Sequence, residues 1–187
     1  MMIYIALLQG INVGKHNRIK MTDLKHMFES RGLKNVQTYG QSGNVLFESE
    51  KDELYIRKMI EKEIMIIFKY VVPVVLRTSE EMEQVILNCP FSKEKIRKAE
   101  LATGESTYVS FLKQVPSPEK VEIIKPYNDE GDEFQIIGRD VYLLFLHQSI
   151  RNSKLGRNLI KLDIHATVRN WNTVMKLNVL AKNMLLK

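Results

Sequence analysis

Four consecutive residues near the end of the chain, Arg169, Asn170, Trp171 and Asn172, combine groups that recognise anions and planar rings. The guanidinium is a rigid fork of donors that matches phosphate or carboxylate. Trp171 is the only Trp in the chain and offers a stacking face. The same residues also suit a helix entrance, with Asn170 or Asn172 as N-cap, Trp171 as a core anchor and Arg169 paired to Asp163. The surrounding charge favours a site, because a structural cap does not need neighbouring cations. Residues 147–187 carry eight Lys/Arg and one acid, Asp163. Basic surfaces concentrate phosphate-bearing partners; a solvated face is the alternative.

A second polar group lies near the start. Gly10-Ile11-Asn12-Val13-Gly14-Lys15 follows an apolar run and precedes a helix pattern, the place of a phosphate loop. It is not a Walker A motif, because three residues separate the glycines and His16 stands where the Ser/Thr metal ligand belongs. It retains donors in Asn12, Lys15, His16, Asn17, Arg18 and Lys20, and backbone amides at a helix start can hold an anion. An ordinary βα loop has the same composition. A third group, Gln41-Ser42-Gly43-Asn44 after Tyr39, is turn chemistry, and no motif supplies Ser42 with a base. The four histidines are scattered and match no zinc spacing. Cys89 reads as a buried structural thiol. Asp129, Glu130, Asp132 and Glu133 read as a solvated acidic loop. No cofactor motif is present, so no cofactor is expected.

The elements that must position these groups follow from periodicity. The sequence predicts a buried strand over 3–8, a helix over 21–31 stopped by Gly32, strands over 36–39 and 45–47 around a hairpin, and a long helix ending near Phe68. A strand over 71–76 contains Pro73, which argues for a sheet edge. Thr78-Ser79-Glu80-Glu81 is a capping box opening a helix to Leu87. Residues 89–104 are the linker candidate. The second half repeats the order: a strand over 108–112, a helix from Ser117-Pro118 to Ile124, strands over 134–137 and 141–146 joined at Gly138-Arg139, and a helix over 154–162. Apolar residues Val174, Leu177, Leu180, Ala181, Met184 and Leu185 make the last helix amphipathic. The expected fold is α+β, with two ferredoxin-like β-α-β-β-α-β units related by duplication and a C-terminal amphipathic helix. The expected division is 1–90 and 91–187, the last helix belonging to the second part.

Composition sets outer bounds. At 187 residues, 44% hydrophobic and 27% charged, the chain is an ordinary globular protein. The first eight residues lack a basic n-region and a cleavage site, which argues against a signal peptide. No apolar run reaches the ~18 residues of a spanning helix, so no membrane partner is expected. A single Cys permits no internal disulfide and fits the cytoplasm.

Three stretches together resemble a bacterial family catalogued as domain of unknown function 1697. They are Ala6-Leu7-Leu8-Gln9-Gly10-Ile11-Asn12-Val13-Gly14 with Lys20-Met21 and Leu24, then Thr38-Tyr39 with Gln41-Ser42-Gly43-Asn44-Val45, and Thr167-Val168-Arg169-Asn170-Trp171-Asn172-Thr173. The resemblance runs from the first strand to the last helix and implies two ferredoxin-like units, with no established activity. Gln9 stands where the family usually has Arg, and Lys15 replaces a Gly. If that Arg meets an anion, Gln9 weakens the contact and Lys15 offsets it.

These observations lead to one expectation with two rivals. The three segments converge on a cleft at the junction of the units, where Arg169 and Lys15 neutralise an anionic ligand. Asn12, Ser42, Asn44, Asn170 and Asn172 line the site and orient that ligand, and Trp171 or Tyr39 stacks on it. The partner is nucleic acid or a small phosphorylated molecule, held by phosphate contacts and aromatic stacking. The rivals are an enzyme acting on a small phosphorylated or carboxylated metabolite, and motifs that only lock the units together. No pattern fixes the oligomeric state.

Overall fold

The computed structural model describes the whole chain except Lys15, Asp129, Glu130, Gln148, Lys187 and the side chain of Thr103. Lys15, and the Asp129-Glu130 half of the acidic cluster, therefore lie outside the described residues. The chain divides into one unit of Met1–Gln84 with Lys176–Lys187 and a second of Val85–Met175.

The first unit runs β1 (Met2–Leu8), α1 (Met21–Ser30), β2 (Lys34–Tyr39), β3 (Asn44–Ser49), α2 (Glu53–Phe68), β4 (Val74–Thr78) and the start of α3 (Ser79–Leu87). Its sheet is antiparallel throughout, in the order β2-β3-β1-β4. β1 is an unbroken apolar run because both of its faces are buried. Tyr4, Ala6 and Leu8 pack with Val45, Phe47, Val74 and Leu76 under α1 and α2, while Ile3, Ile5 and Leu7 are buried on the opposite face. Phe47 is the pivot, stacked on Tyr4 at 5.8 Å and edge-on to Phe28 at 5.4 Å. Asp52 starts α2 by accepting the Tyr55 N–H at 2.9 Å. β4 lies at the sheet edge, but it spans Val74–Thr78 rather than 71–76, so Pro73 stands one residue before the strand and not within it.

The second unit contains α4 (Lys93–Thr103), β5 (Thr107–Leu112), α5 (Pro118–Ile124), β6 (Asp132–Ile137), β7 (Asp140–Phe145), α6 (Lys154–Asn158), β8 (Ala166–Asn170) and the start of α7 (Trp171–Leu185). Its antiparallel sheet has the order β6-β7-β5-β8, the same arrangement as in the first unit. Leu112, Val141, Leu143 and Phe145 face Ile124, Leu155 and Leu162 in one core. Gly138, with φ +59°, turns the β6–β7 hairpin in two residues. The helix predicted over 154–162 is α-helical only to Asn158 and continues as a tighter 3-10 turn over Leu159–Leu162.

Three expectations change. The linker candidate at 89–104 contains helix α4, because Ser92 caps it by accepting the Lys95 N–H and Ala99 is fully buried. Lys95 adds an ion pair to Glu133 at 2.6 Å. The division predicted at 90/91 falls instead at Gln84/Val85, inside α3, and Lys176–Lys187 of the last helix groups with the first unit. Two contacts explain that grouping: Lys182 pairs with Glu83 at 2.6 Å, and Met184 lines a cavity with Val36 and Gln37 of β2. Finally, residues 166–170 form an edge strand, β8. The sequence places Arg169 at a helix entrance, yet it is a strand residue.

Candidate functional site

The first two polar segments meet at one end of the first sheet. β1 and β3 are antiparallel neighbours, so the end of β1 lies beside the β2–β3 turn. The Leu8 N–H donates to the Gly43 carbonyl at 2.8 Å, and the Gln9 N–H to the Pro73 carbonyl at 3.0 Å. Asn12 closes the structure. Its Nδ2 donates to the carbonyls of Ile19 at 2.9 Å and Gln41 at 2.8 Å, and its Oδ1 accepts the Ile19 N–H at 2.9 Å. One side chain thus ties both ends of the βα loop to the hairpin. Asn17 donates to the Gly10 carbonyl and Arg18 to the Gly14 carbonyl. Gly10, Asn12, Gly14 and Asn17 all have positive φ, which Gly and Asn tolerate best.

Asn44 does the same work inside the hairpin. It is 1% exposed, and its Nδ2 donates to the Tyr39 carbonyl at 2.9 Å and to Ser42 Oγ at 3.1 Å. Tyr39 is half-buried. Around this frame His16, Arg18, Lys20, Gln41 and Ser42 are exposed. Asn12 and Asn44 spend their amides on shape, and the exposed cations are the groups left to meet a ligand. Replacing Asn12 by Ala removes three hydrogen bonds and leaves an Ala in the left-handed region. Urea unfolding is expected to show a loss of about 4 kcal/mol, at about 1 kcal/mol per bond plus about 1 kcal/mol of backbone strain. Asn12→Gly relieves the strain only, and should cost less than Asn12→Ala; an equal cost would show that φ plays no part.

The third segment stands in the second unit. Asn170 caps α7: its Oδ1 accepts the Thr173 N–H at 2.8 Å, and its Nδ2 donates to Glu105 at 2.6 Å. Trp171 is half-buried and Asn172 exposed. Arg169 is 7% exposed and donates from Nη1 to Thr167 Oγ1 at 2.6 Å and to the Val168 carbonyl at 2.9 Å. Burial pushes its pKa down to about 10, so the guanidinium keeps its charge at neutral pH. The segment lies at the β5-start end of its sheet, because Tyr108 pairs with Asn170. The Gly138-Arg139 turn lies at the other end, beside Leu112.

The sequence reading passed over Arg77. It occupies in β4 the place that Arg169 holds in β8: 1% exposed, with Nη1 donating to the preceding carbonyl, Leu76, at 2.8 Å. The next residue again caps a helix, Thr78 Oγ1 accepting the Glu81 N–H while Glu81 accepts the Thr78 N–H. The available signal was the shared order of Arg, capping residue and helix in Arg77-Thr78-Ser79 and Arg169-Asn170-Trp171.

Among the described residues, no group of three or more His, Cys, Asp or Glu is placed to hold a metal. The two described members of the acidic cluster are structural, contrary to the solvated-loop expectation. Asp132 is buried and accepts Ser153 Oγ at 2.6 Å, and Glu133 pairs with Lys95. Cys89 is half-buried, and burial raises its thiol pKa. No helix among the described residues is long and apolar enough to cross a membrane.

Two four-stranded antiparallel sheets, each with its own helices, define a mixed α+β protein. The chain belongs to the family described as Protein of unknown function (DUF1697), whose model matches residues 1–142. That match contains the βα loop and the first hairpin; the Arg169 segment lies beyond it. In fold the chain is similar to a solved structure described as the conserved bacterial protein SP0830 from Streptococcus pneumoniae. The TM-score is 0.74 at 19% identity, covering 96% of this chain and 98% of that one. Comparison with the curated proteins gives no match.

Proposed function

We propose that the protein is a binding module for a phosphate-bearing anion, and that the loop end of the first unit grips it. The observation that carries this reading is the loop pinned by Asn12 with His16, Arg18 and Lys20 exposed around it. A rigid loop holds its cations in place before a ligand arrives, so little ordering entropy is lost on binding. Ser42 and Gln41 would add neutral donors. Trp171 and Asn172 would serve a second end in the other unit, with Trp171 as its stacking face, and buried Arg169 and the capping Asn170 would hold it in shape.

We further infer that both units are ferredoxin-like and arose by duplication. Both run β-α-β-β-α-β with the same sheet order. The Leu8–Gly43 and Gln9–Pro73 backbone bonds recur as Leu112–Arg139 and Lys113–His165. A chain whose one Cys is free suits the cytoplasm.

A titration of isotope-labelled protein with inorganic pyrophosphate and a nucleoside triphosphate, followed by amide NMR at ~50 mM salt, tests the binding reading. Shifts confined to residues 10–20 and 40–44 are expected. Arg18→Ala with Lys20→Ala should weaken binding roughly tenfold or more, at about 1 kcal/mol per lost contact. No shifts at ~10 mM ligand, weaker than the affinity that ~4 kcal/mol provides, would overturn it. A specific observation favours one rival in that event: Asn12, Asn44 and Asn170 already spend their amides within the chain. The motifs would then be locks alone.

A further inference from the structure

The second unit carries a row of cations that the anion loop does not use. Residues 141–162 contain no Asp or Glu and hold Arg151, Lys154, Arg157 and Lys161, with His147 beside them. All five are exposed. α6 forms there because Ser153 caps it, accepting the Gly156 N–H at 3.0 Å while its own hydroxyl donates to buried Asp132. The inward side of the segment is fixed, since Leu155 and Leu162 are buried in the core of this unit.

The outward side follows from that anchoring. Lys154 and Arg157 are three residues apart and neighbours on α6, and Lys161 follows on the 3-10 turn that continues it. They extend over at least about 10 Å, at about 1.5 Å per α-helical residue and about 2.0 Å per residue of the 3-10 turn. Two of them are held in place. Arg157 donates to the Asn152 carbonyl at 2.7 Å. Lys161 donates to Tyr127 Oη at 2.7 Å and lies 5.0 Å from that ring's centroid.

Several lysines elsewhere on the surface meet carboxylates: Lys25 with Glu29, Lys95 with Glu133, Lys120 with Asp163 and Lys182 with Glu83. Among the described residues, Arg151, Lys154, Arg157 and Lys161 form no such pair. Like charges at these spacings repel by a few tenths of a kcal/mol per pair. Nothing within the row offsets that repulsion.

We infer that this row is a contact surface for the phosphodiester backbone of a nucleic acid, sited on the second unit and independent of the loop in the first. Length selects the partner class. A single phosphate cannot bridge about 10 Å of cations, whereas a chain of phosphates can. A bilayer fits less well, because a helix that lies on lipid needs an apolar side facing outward. Here Leu155 and Leu162 face the core, and Ile160 is the exposed large apolar residue of the segment. Tyr127, held by Lys161, adds a ring beside the row.

The test uses the full chain and fluorescence anisotropy with labelled ~20-nucleotide single-stranded RNA and duplex DNA at ~50 and ~200 mM salt. Steep loss of binding with salt is expected. The triple variant Lys154→Glu, Arg157→Glu, Lys161→Glu should bind more than tenfold more weakly at low salt. Its log–log salt slope on single strands should fall by about 2, at about 0.7 per phosphate contact. A triple variant with the same charge change on α2, Arg57→Glu, Lys58→Glu, Lys62→Glu, should stay within threefold of the parent. If the first triple unfolds, the Gln versions at the same positions give the same comparison of slopes. The strand on which the slope changes identifies single-stranded or duplex backbone as the source. Absence of binding at low salt would overturn the proposal, as would equal weakening by both triples. Capture by phosphatidylserine vesicles without binding to either nucleic acid would overturn it too.

Discussion

Gly43→Ala is expected to destabilise the protein by roughly 3 to 5 kcal/mol, combining a left-handed backbone that costs about 1–3 with overpacking that costs about 1–3. Gly43 has φ +79°, and a Cβ placed on it would lie 2.7 Å from Leu8 Cβ and 2.8 Å from Ile11 Cδ1. Ile11 Cγ1 is 2.9 Å away as well. Those side chains cannot withdraw, because Leu8 and Ile11 are both buried in the first core. The contact is what seats the hairpin on the βα loop, so the damage should centre on the proposed anion site. Thermal unfolding should show a drop of about 10 °C, since 1 kcal/mol shifts a chain of this size by about 2–4 °C. Hydrogen exchange should show faster opening over residues 8–19 and 40–44 than elsewhere. A variant as stable as the parent would mean that the hairpin does not rest against the loop in this way.

The second large effect is expected at Gly156, for a different reason. Its φ is not positive and it lies inside α6, where Ala would ordinarily be better by about 1 kcal/mol. An added Cβ, however, would stand 2.0 Å from the Ile150 carbonyl oxygen and 3.0 Å from its carbon. Backbone cannot rotate away as a side chain can. Gly156→Ala is therefore expected to cost at least about 3 kcal/mol in urea unfolding, the overpacking penalty exceeding the propensity gain. The segment it displaces carries the cationic row, so nucleic-acid binding should fall together with stability. A neutral or stabilising result would show that the turn before α6 has room to move.

Much of this architecture was legible in the residues. β1, α1, α2 and the two-residue Gly138-Arg139 turn each follow one local rule, periodicity or a residue with positive φ. The capping box at Thr78 announced α3. What escaped was whatever depended on tertiary partners. β8 has five residues, Ala-Thr-Val-Arg-Asn, too polar for an apolar run. It is a strand because β5 supplies its hydrogen bonds. The charged stretch 93–103 reads as a linker until Ala99 is seen to be buried. The asparagines were recognised as important, but spacing alone could not show that Asn12 and Asn44 turn inward to hold the loop. Arg77 was missed because an isolated Arg in an apolar run carries no signal until its counterpart Arg169 is set beside it.

The boundary that cuts through α3 and α7 has a consequence for the order in which the protein is made. The first unit is not a continuous stretch of chain, since Met1–Gln84 and Lys176–Lys187 make it up together. Domains generally fold as units as the chain emerges from the ribosome, at about 5–20 residues per second. Here the first unit to emerge is not the first that can be completed. Its last helix arrives about a hundred residues later, roughly 5–20 seconds at that pace. The second unit, unbroken from Val85 to Met175, is whole sooner, before the first receives its last helix.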